Sequence, residues 1–163
     1  MCVDTKEYLE YLIEEYSDTV YRLAISRLRN KENAEDVYQE VFLRLSKKIP
    51  KFESKEHEKA WIIRVTINCS KTLLGSKHLK STEELSLQDG SYIDNPDDKN
   101  DVLLAVLQLP IRYRTVIHLF YYEGYKIEEI SEILGAKENT VKSWLMRARK
   151  KLKSEMEGGL DDE

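Results

Sequence analysis

The chain has 163 residues, a mass of 19.2 kDa and a formal net charge of −4, and only nine of its residues are Gly or Pro. That share is less than half of the roughly 12% in average proteins, which argues against a turn-rich β-sandwich. The longest apolar run, residues 102–107, is far shorter than the roughly 20 residues of a membrane-spanning helix. The first residues also lack the features of a secretory signal, so we expect a cytoplasmic protein without direct membrane insertion.

The sequence carries no pattern typical of a catalytic or metal site. Its two cysteines, Cys2 and Cys69, and its three histidines are scattered, with no Cys-x-x-Cys pair and no His-Glu-x-x-His motif. A nucleophile elbow and a phosphate-binding loop are also absent from the sequence. We therefore expect no metal, no cofactor and no enzymatic activity.

The negative charge comes from one segment. Residues 1–80 hold 15 basic residues against 13 acidic ones and residues 102–163 hold ten of each, whereas residues 81–101 hold seven acids and one lysine. This acidic segment contains Gly90 and Asn95-Pro96 and almost no apolar periodicity, which predicts a flexible linker. Residues 137–153, by contrast, carry seven basic residues and one acid, a concentration of charge that attracts phosphates. The net charge therefore does not argue against a nucleic-acid partner.

Apolar residues recur at helical spacing along most of the chain. They predict a helix from about residue 4 to a break at residues 30–33, a second helix that ends before Pro50, and a third from about residue 60 to Gly75, preceded by a charged loop at residues 51–59. After the acidic segment they predict four more helices, separated near Pro110, Gly124 and Gly135. No alternating run rich in β-branched residues predicts a strand, so we expect an all-α protein.

The last two predicted helices form a helix-turn-helix pattern, because the turn Gly135-Ala136-Lys137 joins a short helix to a basic one. On the basic helix, the apolar stripe that includes Val141 and Leu145 is expected to face the core. The outward residues are then Asn139, Lys142, Ser143, Met146, Arg147 and Lys150. Such side chains suit base edges and phosphates in a DNA major groove. The alternative is an ordinary solvated helix end whose cations complement the helix dipole.

Two blocks of the sequence together resemble the extracytoplasmic-function sigma factors of bacterial RNA polymerase, in the sigma-70 family. In the first block, AEDVYQEVFLRL (34–45) looks like the helix that binds core polymerase, and KAWIIRVTINCSKTLL (59–74) looks like the segment that melts the promoter and reads its minus-10 element. In the second block, residues 109–153 look like the domain that reads the minus-35 element. Helix-turn-helix regulators share the second block, but the order and spacing of both blocks and the chain length make the resemblance specific.

The resemblance implies two small helical domains joined by a flexible acidic linker. The expected boundaries are 1–78 for a region 2-like domain, 79–101 for the linker, 102–157 for a region 4-like helix-turn-helix domain and 158–163 for an acidic tail. The implied partners are core RNA polymerase, through its β′ clamp helices and its β flap, promoter DNA, and an anti-sigma factor.

The resemblance also implies roles for residues of the first block. Asp36, Gln39 and Glu40 match the positions that bind the β′ clamp helices, and acceptors on one helical face suit arginines of a partner helix.

In the minus-10 segment, Asn68 matches a base-contacting asparagine, with Lys71 nearby for phosphate. Residues 52–59, which begin with Phe52, match the loop that receives a flipped base. Trp61 either stacks on an exposed base or, as its position in the apolar stripe favours, anchors the core.

In the second block the implied minus-35 contacts fall on the basic helix. They are Lys142, Ser143, Met146 and Arg147, with Thr140 and Arg149 as phosphate or framework contacts. Trp144 departs from the family pattern, in which a basic residue is common at this position.

The sequence thus predicts a sigma factor that binds core polymerase and directs initiation by recognising the minus-35 and minus-10 elements. Two alternatives stay open. A helix-turn-helix transcriptional regulator would bind DNA without being a polymerase subunit, and an all-helical adaptor would bind only protein. Binding to core polymerase and to DNA distinguishes these three functions.

Overall fold

The computed structural model describes residues 5–76 and 101–161. Within these ranges the chain forms seven α-helices and one π-helical turn and no strand, which confirms the predicted all-α fold. The helices group into two compact units, which divide between residues 86 and 87. The predicted helix start at residue 4 lies outside the described residues, as does almost all of the predicted linker, residues 79–101.

Three helices form the first unit: α1 (Thr5–Leu28), α2 (Lys31–Lys47) and α3 (Lys55–Ser76). Each of them packs against the other two. Their shared core contains fully buried side chains such as Leu12, Val41 and Ile62, each of which stabilises the fold by about 1.5–3 kcal/mol relative to exposure. The packing turns one face of each helix inward and leaves the opposite face for contacts with other molecules.

The connection between α1 and α2 consists of only Arg29 and Asn30. Arg29 ends α1 in the left-handed region, with φ at 53°. The Asn30 side chain then accepts a hydrogen bond from the backbone N–H of Asn33 at 2.9 Å, as a helix N-cap does. A connection this short makes the two helices neighbours and so fixes which side of α2 faces outward.

The predicted charged loop at residues 51–59 is wrong in its second half, because α3 already begins at Lys55. Ser54 caps this helix start. Its Oγ accepts a hydrogen bond from the backbone N–H of His57 at 3.1 Å, and its carbonyl oxygen accepts one from the backbone N–H of Glu58 at 3.0 Å. Acidic residues in the first turn, Glu56 and Glu58, also complement the positive end of the helix dipole. The stretch matched to a base-receiving loop is therefore half loop and half helix.

The second unit contains α4 (Asp101–Leu107), α5 (Ile111–Ile117), a π-helical turn (His118–Tyr122), α6 (Ile127–Leu134) and α7 (Glu138–Asp161). Helix α7 packs against α4, α5 and α6. Its buried side chains include Val141, Leu145 and Ala148, which confirms the predicted inward face of this helix. The outer face of α7 is therefore held in one orientation by three other helices.

The turn between α6 and α7 follows the predicted residues Gly135, Ala136 and Lys137. Gly135 has φ at 66°, a left-handed conformation in which a Cβ atom is unfavourable. The backbone N–H groups of Gly135 and Ala136 both donate to the carbonyl of Ser131, which satisfies the end of α6. This compact turn sets the angle between α6 and α7.

No helix in residues 5–76 or 101–161 is long and apolar enough to cross a membrane. In the same part of the chain, no group of three or more His, Cys, Asp or Glu side chains is arranged to hold a metal ion.

Candidate functional site

The outer face of α2 presents three hydrogen-bond acceptors followed by an exposed leucine. Asp36, Gln39 and Glu40 are exposed, and Leu43 is 51% exposed one turn after them. Residues three, four and seven positions apart share one side of a helix, so these four side chains form a single surface, which we call the α2 surface. Leu43 was not predicted as a site residue, although its position outside the buried apolar stripe of α2 was a usable signal.

Within the α2 surface, Glu40 already has a cationic partner. Its Oε1 lies 2.9 Å from Nε of Arg44, and both side chains are about half exposed, at 46% and 48%. An exposed pair of this spacing contributes only about 0.3–0.5 kcal/mol. An arginine of a binding partner can therefore replace Arg44 at low cost.

A polar stripe runs along the outer side of α3. Asn68 and Lys71 are both exposed and lie one turn apart, so they share one face of the helix. Arg64, one turn before Asn68, is exposed on the same side and extends the stripe. Arg64 was not predicted as a site residue from the sequence. Its spacing of four residues before Asn68 was the signal that could have identified it as part of this stripe.

An aromatic cluster lies at the N-terminal end of α3. The ring centroids of Phe52 and Trp61 are 5.6 Å apart in an edge-on arrangement, and Phe52 makes a similar contact with His57. Phe52 and Trp61 are both half-buried, and Trp61 packs against the core of the first unit. Of the two roles predicted for Trp61, the structure favours that of a core anchor. Trp61 and Asn68 lie two turns apart on one side of α3, so the aromatic cluster and the polar stripe are on the same side of the helix.

The outer face of α7 carries most of the predicted minus-35 residues. Those that are exposed are Asn139, Lys142, Met146, Arg147, Arg149 and Lys150, whereas Thr140, Ser143 and Trp144 are half-buried. Met146 is 63% exposed, which is unusual for a large apolar side chain in a helix that packs on three others. This face therefore combines cations, amide and hydroxyl groups and one apolar side chain, which is the chemistry needed to read base edges and phosphates.

Arg149 is exposed, but aromatic side chains of the second unit hold its guanidinium in place. Its Nε donates a hydrogen bond to the Tyr121 hydroxyl at 2.5 Å. The guanidinium also lies over the rings of Phe120 and Tyr121, 5.4 and 5.5 Å from their centroids. These contacts tie α7 to the π-helical turn, so they favour the framework role for Arg149 over the phosphate role.

Comparison with known families matches both units. Residues 12–78 match Sigma-70 region 2, and residues 99–152 match Sigma-70, region 4. The first match contains the α2 surface and the polar stripe of α3, and the second contains the turn between α6 and α7 together with the outer face of α7.

Individual relatives match over nearly the whole chain. RNA polymerase sigma factor SigV of Bacillus subtilis (strain 168) is 30% identical over 155 residues, 93% of either chain. ECF RNA polymerase sigma factor SigM of the same organism is 30% identical, over 95% of this chain and 99% of the relative. The solved structure of sigma factor RpoE from Bartonella quintana, in complex with the anti-sigma factor NepR, is 25% identical with a TM-score of 0.68, covering 93% of this chain and 98% of that one.

Proposed function

The chain belongs to the extracytoplasmic-function sigma factors of the sigma-70 family, and from this premise we propose which of its surfaces carry out each step of promoter-specific initiation. As a sigma factor, it binds core RNA polymerase and directs transcription from specific promoters. A regulator that acts without being a polymerase subunit is not favoured, because both matched regions and the relatives are those of sigma factors. Sigma factors initiate transcription without catalysing a reaction, and we propose the same for this chain.

We propose that the α2 surface binds core polymerase at the β′ clamp helices. The observation that carries this assignment is that Asp36, Gln39 and Glu40 are all exposed on one side of α2 while its other side is buried. Carboxylate and amide acceptors pair well with arginines, and Leu43 supplies an apolar contact at the C-terminal end of the same surface. The β flap is proposed as the contact of the second unit, in line with the family.

We propose that α3 recognises the minus-10 element. Asn68 would contact a base and Lys71 a phosphate, with Arg64 as a further cation in the same stripe. Phe52, a half-buried ring just before α3, would contact a base that has left the stack, since an aromatic face binds a base with about 1–3 kcal/mol. Trp61 would support Phe52 from the core side.

We propose that α7 recognises the minus-35 element through its outer face. Lys142 and Arg147 would donate to guanine acceptors, while Met146 would contact a thymine methyl. Asn139, Thr140, Ser143 and Lys150 lie on the flanks of this surface and would contact bases or phosphates. Arg149 would act by orienting α7.

Run-off transcription on genomic fragments, with core polymerase and the full chain, tests the proposed function. We expect new start sites that neither component gives alone. Asp36→Ala should weaken binding to core polymerase by about 1.5–3 kcal/mol, the contribution of a hydrogen bond to a charged group. Asp18→Ala removes the same charge from an exposed position on α1 and serves as the matched control. Absence of new start sites, together with unchanged core binding by Asp36→Ala, would contradict the assignment.

We also propose that an anti-sigma factor sequesters these surfaces, and that the chain acts in the cytoplasm together with core polymerase. Support comes from the relative RpoE, whose structure is that of a complex with the anti-sigma factor NepR. Affinity purification of the tagged chain should recover a protein that added core polymerase displaces. A protein that stays bound while the chain is engaged with polymerase would not be such a factor.

A further inference from the structure

An open, basic groove lies between α5 and α7 of the second unit. It has a volume of about 350 Å³ and is lined by Tyr113 of α5 and by Arg147, Lys150, Lys151 and Ser154 of α7. The four α7 residues follow the spacing i, i+3, i+4, i+7, so they form one stripe along the helix. We refer to these five residues as the basic groove.

Cations from both α5 and α7 lie close to the Tyr113 side chain. Its side chain is only 5% exposed, yet the Arg112 guanidinium lies 5.1 Å and the Lys151 Nζ 5.8 Å from the centroid of its ring. Hydrogen bonding by Arg112 lowers the pKa of the Tyr113 phenol against the opposing effect of burial, and Arg147 lowers it further. The buried Tyr113 side chain thus has Arg112, Arg147 and Lys151 arranged around it.

The charged side chains that line the basic groove are all cations. Among the described residues that line it, none is a carboxylate, and Arg112 brings a further cation to Tyr113. An anion in the groove is attracted by all of these cations at once. Guanidinium and ammonium groups bind phosphate oxygens through strong charge-assisted hydrogen bonds, and the Ser154 hydroxyl is a further donor.

We propose that the basic groove binds a phosphodiester of the DNA backbone next to the bases that α7 reads, extending the DNA surface onto α5. The inference rests on the proposed function of α7 and adds Arg112, Tyr113 and Lys151 to its contacts. A DNA phosphate is favoured over an acidic peptide because Arg147 and Lys150 belong both to the groove and to the outer face of α7. DNA bound to that face carries a phosphate every few ångströms along its edge, so backbone charge necessarily passes beside it.

The salt dependence of DNA binding tests this inference, because each phosphate contact releases condensed counterions. The full chain is titrated against a labelled duplex of random sequence at a series of KCl concentrations. Lys151→Gln changes an exposed residue of the basic groove, and Arg112→Gln changes an exposed residue beside it. Each of these two groove variants should reduce the slope of log affinity against log salt by up to about 0.9, the value for one phosphate. Lys153→Gln is the matched control, since it removes the same charge from the same helix at a side chain that lies 4.0 Å from Glu157. Its slope should stay close to that of the unmodified chain.

Two results would overturn the inference. One is an unchanged slope for both groove variants, or a fall no larger than that of Lys153→Gln. The other is binding of poly-glutamate that the groove variants abolish while their DNA slope is unchanged, which would assign the groove to an acidic protein partner. The salt titration uses a random duplex and needs neither promoter nor polymerase, so its result does not depend on run-off transcription. A negative result for phosphate binding in the groove can therefore be distinguished from a negative result for the sigma function.

Discussion

The buried carboxylate of Glu58 accepts a hydrogen bond from the Tyr16 hydroxyl at 2.7 Å, although 42 positions separate the two residues. Tyr8 donates to the other oxygen of the same carboxylate. Burial raises the pKa of both tyrosines, and the hydrogen bond to Glu58 raises it further. Tyr11 adds a longer hydrogen bond, at 3.5 Å, to the oxygen that Tyr16 contacts. One acid in the first turn of α3 is therefore joined to three points of α1, shortly after the segment that carries Phe52.

Replacing Glu58 by Gln should destabilise the first unit by about 1–3 kcal/mol, because the amide NH₂ cannot accept from a tyrosine hydroxyl and leaves a buried donor unsatisfied. The free energy of unfolding is measured in urea by Trp61 fluorescence. A Trp144→Phe background removes the other tryptophan, which lies in the second unit.

Glu56→Gln provides the control for this change. Glu56 lies in the same helical turn and is exposed, so it shares the interaction with the helix dipole but not the buried contacts. We expect its effect to stay within about 0.5 kcal/mol. Equal effects of the two substitutions would show that the tyrosine contacts do not stabilise the fold.

Alkaline pH should weaken the first unit through the same tyrosines. A tyrosine whose pKa is raised on folding stabilises the fold while it is neutral in both states. This contribution is complete below the unfolded-state pKa of about 10 and is lost as the pH rises from there towards the higher folded-state pKa. Unfolding free energies from Trp61 fluorescence should therefore fall above about pH 10, and less steeply in Tyr16→Phe. Parallel pH profiles for the two proteins would contradict a role for Tyr16.

The contrast between α7 and Glu58 shows what the sequence alone can predict. The inward face of α7 was predicted correctly because the helical period decides which side chains lie beside Val141 and Leu145. Glu58 was counted in a charged loop because the tyrosines that bury it are on another helix. For the same reason no local pattern connects Lys151 with Tyr113 or Arg149 with Tyr121. The role of Asp36, in turn, was predicted only through the resemblance, since an exposed acid has no distinguishing local pattern.

Substitution of glycine by alanine should have opposite effects in the two units. At Gly135 the left-handed backbone makes a Cβ atom unfavourable by about 1–2 kcal/mol, although no atom lies within 4 Å of its position. At Gly75, the penultimate residue of α3, the space is equally open and the backbone is helical, so alanine should stabilise the first unit by up to about 0.5 kcal/mol. Urea unfolding of each unit, followed by its own tryptophan, measures both effects. A stabilising Gly135→Ala would contradict the left-handed turn.

Arg147 and Arg149 are two positions apart on α7, and their substitution should separate recognition from stability. Arg147 is exposed on the outer face, so Arg147→Gln should lower the discrimination between matched and altered minus-35 bases by about 1–3 kcal/mol. Its effect on unfolding should remain within about 1 kcal/mol, the contribution of its hydrogen bond to the Tyr113 phenol. Run-off transcription from a mapped promoter and from single-base variants of its minus-35 element measures the discrimination.

Arg149→Gln should show the reverse pattern. It removes the hydrogen bond to Tyr121 and the contacts with two aromatic rings, which together are worth about 1–2 kcal/mol of stability in the second unit. Tyr121→Phe keeps the ring under the guanidinium and loses only the hydrogen bond, so its cost should be smaller. Because Arg149 positions α7 without reading bases, activity should fall by a similar factor on every minus-35 variant. A base preference that changes in Arg149→Gln while stability does not would instead place Arg149 in contact with DNA.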